Sequence, residues 1–219
     1  RDSAFPGPSL IFDHCVHLGS IRQQNLIEIV MKSNSFGLPT KPNLLPKGHI
    51  GPVYTAKFNN AGEYCMTGSE DRNVCLYNPS KGILIKTYKA IHNYAVHSIA
   101  INHDNSKFVT GGGDKLVFLT DVLEGKAIRK YQGHAAAVNC VAYNTENNVI
   151  VSVKLMQISG SYDTTVRFWD NRTGGYAPID IIRGIRDSVS HLIVNRFEII
   201  VSSIDGFLRT YDIRKGEVN

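Results

Sequence analysis

Apolar runs of five to seven residues recur along the chain from about residue 47, broken by clusters rich in Asn, Asp, Gly, Pro and Ser. In the first stretch Val53 to Phe58, Tyr64 to Ser69, Asn73 to Asn78 and Ile83 to Lys89 read as strands. Asn59-Asn60-Ala61-Gly62, Glu70-Asp71-Arg72 and Pro79-Ser80-Lys81-Gly82 separate them as turns. The second stretch repeats this with Val96 to Ile101, Lys107 to Gly111, Leu116 to Asp121 and Lys126 to Gln132. No helical periodicity lies between such runs, so the pattern predicts an all-β chain of short antiparallel strands.

A second pattern is laid over the first. Asp71, Asp114, Asp163 and Asp205 stand 43, 49 and 42 residues apart, and seven residues beyond each closes the pair Tyr77-Asn78, Thr120-Asp121, Trp169-Asp170 or Tyr211-Asp212. A step of 22 residues back reaches Gly48-His49 and Ile91-His92, and a step of 29 from Asp163 reaches Gly133-His134. A period of 40 to 45 residues with Gly-His and Trp-Asp marks is that of a four-stranded propeller blade. Four blades follow, at about 47–90, 91–132, 133–183 and 184–219.

Each mark has a physical task. The turn Asp accepts from the local backbone and from the His imidazole. That His reaches a hydroxyl on the second strand, which meets the Trp indole on the third. Buried groups of this kind are tolerated only when satisfied. The third unit holds the full set in His134, Ser159, Asp163 and Trp169. The first has His49, Thr67 and Asp71 with Tyr77 in place of Trp, and the second has His92, Thr110 and Asp114, where Thr120 is too small for the indole's space. The fourth lacks His and has Val201 where the hydroxyl belongs. These sets read as structural tetrads rather than His–Ser–Asp catalytic triads.

Composition narrows the function. The chain is 42% hydrophobic and 20% charged with a net charge of +5, yet no block of five like charges exists, which speaks against a dedicated nucleic-acid patch. No run approaches 18 apolar residues, and no secretory signal pattern is present. Cys15, Cys65, Cys75 and Cys140 have no C-x-x-C spacing and read as reduced thiols. Asp13-His14-Cys15-Val16-His17 fits no closed zinc site, and Gly111-Gly112-Gly113 is turn chemistry rather than a phosphate loop. The expectation is no enzyme, no metal and no cofactor, in the cytoplasm, the nucleus or both.

Two features depart from the repeat. Seven residues are inserted between Ile150 and Ser161, and an odd insertion in a strand must bulge or loop out. It reads as a retained intron or gene-model error, and it leaves open whether Ser152 or Ser159 carries the hydroxyl. Residues 1–37 match no blade and read as a disordered or mis-annotated leader, with Met31 a candidate start; 38–219 then forms the propeller fragment. Leu44 and Leu45 suit an outer strand. Four blades do not close a ring of seven, so the chain reads as an incomplete ring.

Several phrases carry a resemblance: Asn59-Asn60-Ala61-Gly62-Glu63-Tyr64-Cys65, Tyr77-Asn78-Pro79-Ser80-Lys81-Gly82, Thr110-Gly111-Gly112-Gly113-Asp114-Lys115, Arg129-Lys130-Tyr131-Gln132-Gly133-His134 and Tyr211-Asp212-Ile213-Arg214-Lys215-Gly216. The chain resembles the WD-repeat family and, within it, the mitogen-activated protein kinase organizer subfamily. The resemblance implies a seven-bladed, non-catalytic scaffold that joins kinase-cascade components and is found in the second-step spliceosome. Its partners would be proteins, including those of a spliceosomal ribonucleoprotein, without direct nucleic-acid or membrane contact. By position, Tyr54, Glu70, Tyr94, His97, Asn139, Tyr162 and Arg186 are the expected partner contacts. An alternative rests on Trp169-Asp170-Asn171-Arg172 and Tyr211-Asp212-Ile213-Arg214, which match the ending by which cullin-ligase substrate receptors meet their adaptor. There Arg172 and Arg214 would pair with carboxylates. A third reading is a truncated product with no stable function.

Overall fold

The computed structural model describes residues 45–89, 91–143, 156–170, 176–195, 198–212 and 217–218. The first sheet comprises β1 (Val53–Phe58), β2 (Cys65–Ser69), β3 (Val74–Asn78) and β4 (Ile83–Tyr88), and the second β5 (Val96–Ile101), β6 (Lys107–Gly112), β7 (Leu116–Asp121) and β8 (Ala127–Gln132). The third holds β9 (Val138–Tyr143), β10 (Met156–Ser161), β11 (Val166–Asp170) and β12 (Asp180–Ile182), and the fourth β13 (Val189–Val194), β14 (Glu198–Ser203), β15 (Leu208–Asp212) and β16 (Glu217–Val218). Every sheet is an antiparallel meander in chain order. The fold is all-β and consistent with an incomplete propeller, and no helix occurs among the described residues.

Strand ends fall where side chains take over the backbone. Tyr64 N–H donates to Asn59 Oδ1 at 3.0 Å and Asn73 N–H to Asp71 Oδ1 at 3.0 Å, so β2 and β3 each begin one residue later than the apolar runs predict. Leu45 lies outside any strand, and Leu44 is outside the described residues.

The core is a series of joints between successive sheets. Met66, Tyr88, Val96, Ile99 and Phe108 join the first sheet to the second, Val109, Leu119, Tyr131, Val138 and Trp169 the second to the third, and Ile158, Phe168, Val189, Leu192 and Ile199 the third to the fourth. At the centre of each joint a glycine of the second strand receives a valine of the next sheet. A Cβ built on Gly68 would stand 2.7 Å from Val96 Cγ1, on Gly111 2.5 Å from Val138 Cγ1, and on Gly160 2.5 Å from Val189 Cγ1. Gly111→Ala should therefore destabilise the chain by about 1–2 kcal/mol, the overpacking outweighing the entropy that alanine removes from the unfolded chain. Thermal unfolding of the variant checks this; an unchanged or raised midpoint would mean that the valine swings aside freely.

Gly160 also resolves the hydroxyl that the sequence leaves open. Ser159 occupies the place of Thr67 and Thr110, and the residue after it must be glycine; Ser152 is followed by Val153, which would collide with Val189 and Cys140 there. The outward face of the fourth sheet is unlike the others. Leu208 is 69% exposed, whereas Val74, Val117 and Val166 at the equivalent position are 0%, 1% and 0% exposed.

Candidate functional site

The marks of the first three sheets form buried hydrogen-bond relays. In the third, His134 Nδ1 lies 2.8 Å from Asp163 Oδ2, Nε2 lies 2.7 Å from Ser159 Oγ, and Trp169 Nε1–H donates to Ser159 Oγ at 2.9 Å. A neutral imidazole protonated on Nδ1 satisfies every group: indole to hydroxyl, hydroxyl to Nε2, Nδ1–H to carboxylate. In the first, His49 contacts Asp71 at 3.0 Å and Thr67 Oγ1 at 2.7 Å, and the Tyr77 hydroxyl stands against Gly48, in the place of the indole. In the second, His92 meets Asp114 and Thr110, each at 2.8 Å. The third-strand end differs there. Thr120 is fully buried with no partner for Oγ1, and Phe118 sets its ring edge-on to His92 with centroids 4.8 Å apart.

The order Ser–His–Asp in the third sheet is that of an acyl-transfer triad. Ser159 is 0% exposed and its oxygen already takes the indole N–H, so no substrate carbonyl reaches it.

Each Asp also anchors the turn behind it. Asp163 accepts from Ala135 N at 2.8 Å, Thr165 N at 3.0 Å and Thr165 Oγ1 at 2.5 Å. Burial alone would raise its carboxyl, but the hydrogen bonds from His134 and Thr165 outweigh burial and hold it well below the usual carboxylate range. Burial is likewise outweighed at Asp114, chiefly by His92, and at Asp71, by the Ile50 and Asn73 backbone and by His49. Carboxyls held low in the folded state bind more protons once unfolded. Their contribution is complete above the unfolded value near pH 4 and is lost as pH falls from there through the folded values. Urea midpoints measured from pH 7 down to pH 2.5 should drop below about pH 4, and the drop should shrink in Asp163→Asn.

The fourth sheet solves the same problem differently. Arg186 N–H donates to Asp205 as Ile50, Asn93 and Ala135 donate to their aspartates, so Ile185, buried in the core, stands where His stands elsewhere. Arg209 closes on Asp205 as a fork, Nη1 to Oδ1 at 3.1 Å and Nη2 to Oδ2 at 2.7 Å, and this fork holds the carboxyl well below its ordinary range. The step from Ile185 to Asp205 is 20 residues, so counting 22 misses it; Gly184 before it was the available signal.

The expected partner residues lie where the turn after each second strand is stitched to the loop before each first strand. Glu70 N–H donates to Pro52, Gly113 N–H to Ala95, Tyr162 N–H to Ala137 and Ile204 N–H to Ser188, at 2.9–3.0 Å. This brings both loop sets to one end of every sheet. Each first strand also carries a bulge there, at Tyr54, His97, Asn139 and Ser190. A bulge turns its extra side chain out of the sheet's alternation. Tyr54 and His97 pair with ring centroids 5.5 Å apart, while Glu70, Tyr94, Tyr162 and Arg186 are exposed. Asn139 is a correction: it is 4% exposed and its Nδ2 donates to Val189 O at 2.8 Å, which makes it a tie between sheets rather than a contact surface. Arg172 and Arg214 lie outside the described residues. Among the described residues no group of His, Cys, Asp and Glu is arranged to hold a metal ion, and no helix is long and apolar enough to cross a membrane.

Comparison with known proteins fits this geometry. The chain is 42% identical to WD repeat domain-containing protein 83 of Xenopus tropicalis over 181 residues, covering 83% of this chain and 55% of that protein. It is 29% identical to the WD repeat domain-containing protein 83 homolog of Dictyostelium discoideum, over 80% of this chain and 60% of that one. It is 26% identical to pre-mRNA-splicing factor cwf17 of Schizosaccharomyces pombe, over 79% of this chain and 49% of that one. The chain thus spans half to three fifths of the length of these relatives. The family model described as WD domain, G-beta repeat matches residues 41–78, 82–121 and 125–170, more than half of the chain. Repeat marks, sheet order and matched segments agree, and the chain belongs to the WD-repeat family.

Proposed function

We propose that this chain is a non-catalytic scaffold that assembles protein complexes through the loop end of its sheets, in kinase-cascade signalling or pre-mRNA splicing. The observation that carries this reading is the division of labour within each blade. The chemically capable groups are buried in relays, while bulges and turns present Tyr54, Glu70, Tyr94, His97, Tyr162 and Arg186 at one end. Aromatic and arginine side chains are the better anchors for protein partners. WD-repeat proteins are in general non-catalytic scaffolds, and a splicing factor among the relatives supports the splicing branch and a nuclear location. The subfamily phrases support the kinase branch, which extends to the cytoplasm.

The test is co-purification of the tagged full chain with wild-type loops or with Tyr94→Ala and Tyr162→Ala combined, the two proteins first matched by circular dichroism and thermal midpoint. Spliceosomal or kinase-cascade proteins should accompany the wild type and be depleted at least severalfold by the double substitution. The same partners in both, or chaperones alone, would overturn the reading.

A further inference from the structure

The loop end is not uniform around the array. The residue before each turn aspartate is Glu70, Gly113, Tyr162 and Ile204 in the four sheets. Only the first is charged, and only the second has no side chain. A Cβ built on Gly113 would stand 3.2 Å from Tyr94 Cβ and 3.4 Å from His97 Nε2, so the bare glycine lets both residues close onto the turn. His97 continues this cluster to Tyr54, their rings 5.5 Å apart and tilted by 32°. Glu70 stands at the same end, its backbone N–H donating to Pro52 O at 2.9 Å two residues before the bulge at Tyr54, and its charge, after burial, helps to push the Tyr54 phenol up. Among the described residues no ion pair engages Glu70. Tyr94 is 66% exposed, a large aromatic side chain open to solvent at the same end as Glu70.

We propose that this aromatic cluster between the first and second sheets, with Glu70 at its end, holds a basic side chain of a partner protein, arginine for preference. Aromatic faces attract a cation, and a flat guanidinium stacks on them while its N–H fork reaches a carboxylate; the ammonium of lysine matches only the charge. The third sheet, with Tyr162 in place of Glu70, has no such carboxylate and would take an apolar part of the same partner. The inference rests on the loop end being the partner surface and names the chemistry of one part of it.

The test uses the full chain and a capped tripeptide, acetyl-Gly-Arg-Gly-amide, followed by nuclear magnetic resonance of the tyrosine and histidine ring signals. The control replaces arginine with citrulline, which keeps the shape and loses the charge. Arginine peptide should shift the Tyr54, Tyr94 and His97 signals saturably, with citrulline about fivefold weaker or worse. Glu70→Gln should weaken the arginine peptide by a similar factor, and Gly113→Leu, which forces Tyr94 and His97 apart, should abolish binding. Equal binding of citrulline, or no effect of Glu70→Gln, overturns the proposal. If no peptide binds while the Tyr94→Ala, Tyr162→Ala variant still loses its partners, the basic-side-chain site falls and the scaffold reading stands.

Discussion

Asp163→Ala should cost about 3–5 kcal/mol of folding stability, the range for removing one member of a buried, hydrogen-bonded pair. Four donors converge on this carboxylate: His134 Nδ1, the backbone of Ala135 and of Thr165, and the Thr165 hydroxyl. His134 is 1% exposed at its side chain, so its Nδ1–H would keep only the long contact to Thr165 Oγ1 at 3.4 Å and gain no water. The damage would pass along the relay, because an imidazole free to turn no longer holds Ser159 under the Trp169 indole. Asp163→Asn should fall between wild type and alanine: it keeps an acceptor for the backbone but brings an amide donor toward His134. Asp205→Ala is the control. The backbone N–H groups it serves, on Arg186 and Phe207, are exposed, and the Arg209 guanidinium it would release is 18% exposed against 1% for His134, so water can take the place of the carboxylate and the loss should be smaller. Urea denaturation of the three variants decides this. Equal losses at Asp163 and Asp205 would show that the turn, and not the buried relay, carries the energy.

The same relay explains why so much of the fold is legible in the sequence. A carboxylate that must cap its own turn and meet a histidine from the preceding loop fixes two spacings at once, so Asp71, Asp114 and Asp163 mark their blades without any structure. The apolar runs place the strands of the first two sheets to within a residue because turn chemistry at Asn59 and Asp71 sets where pairing begins. The rest is decided in three dimensions. A bulge adds one residue to a strand without breaking its apolar pattern, so Tyr54, His97 and Asn139 are visible as positions but not as out-turned or buried. The fourth blade is marked by Asp205, but its histidine place hides because Ile185 keeps it at a step of 20 residues, and Arg209 takes over the partnership with Asp205 from the other side. The choice between Ser152 and Ser159 depends on a valine of the next sheet, which no local pattern contains.

Gln157→Leu should stabilise the chain by about 2–3 kcal/mol, the cost of burying an amide without partners. Gln157 is 0% exposed and neither its Nε2 nor its Oε1 has a hydrogen-bond partner. It faces Tyr143 and Trp169 across β10, and the Tyr143 phenol stands beside it without a formed hydrogen bond. The equivalent positions hold Cys65, Phe108 and Ile199, which are 4%, 0% and 0% exposed, so the repeat asks for an apolar residue here. The insertion explains how an amide came to fill the place. Removing residues 153–159 would carry Ile150 to the position of Gln157 and Ser152 to that of Ser159, directly before Gly160, restoring an apolar residue and the hydroxyl together. The deletion should therefore raise the thermal midpoint at least as much as the point substitution, and the two together should gain nothing further, since the deletion removes Gln157. If the deletion stabilises and Gln157→Leu does not, the benefit comes from the shorter connection rather than from the amide. If Gln157→Leu destabilises but does so no longer in a Tyr143→Phe background, the amide and the phenol hold each other in solution, and the mispairing inferred from the buried atoms is wrong.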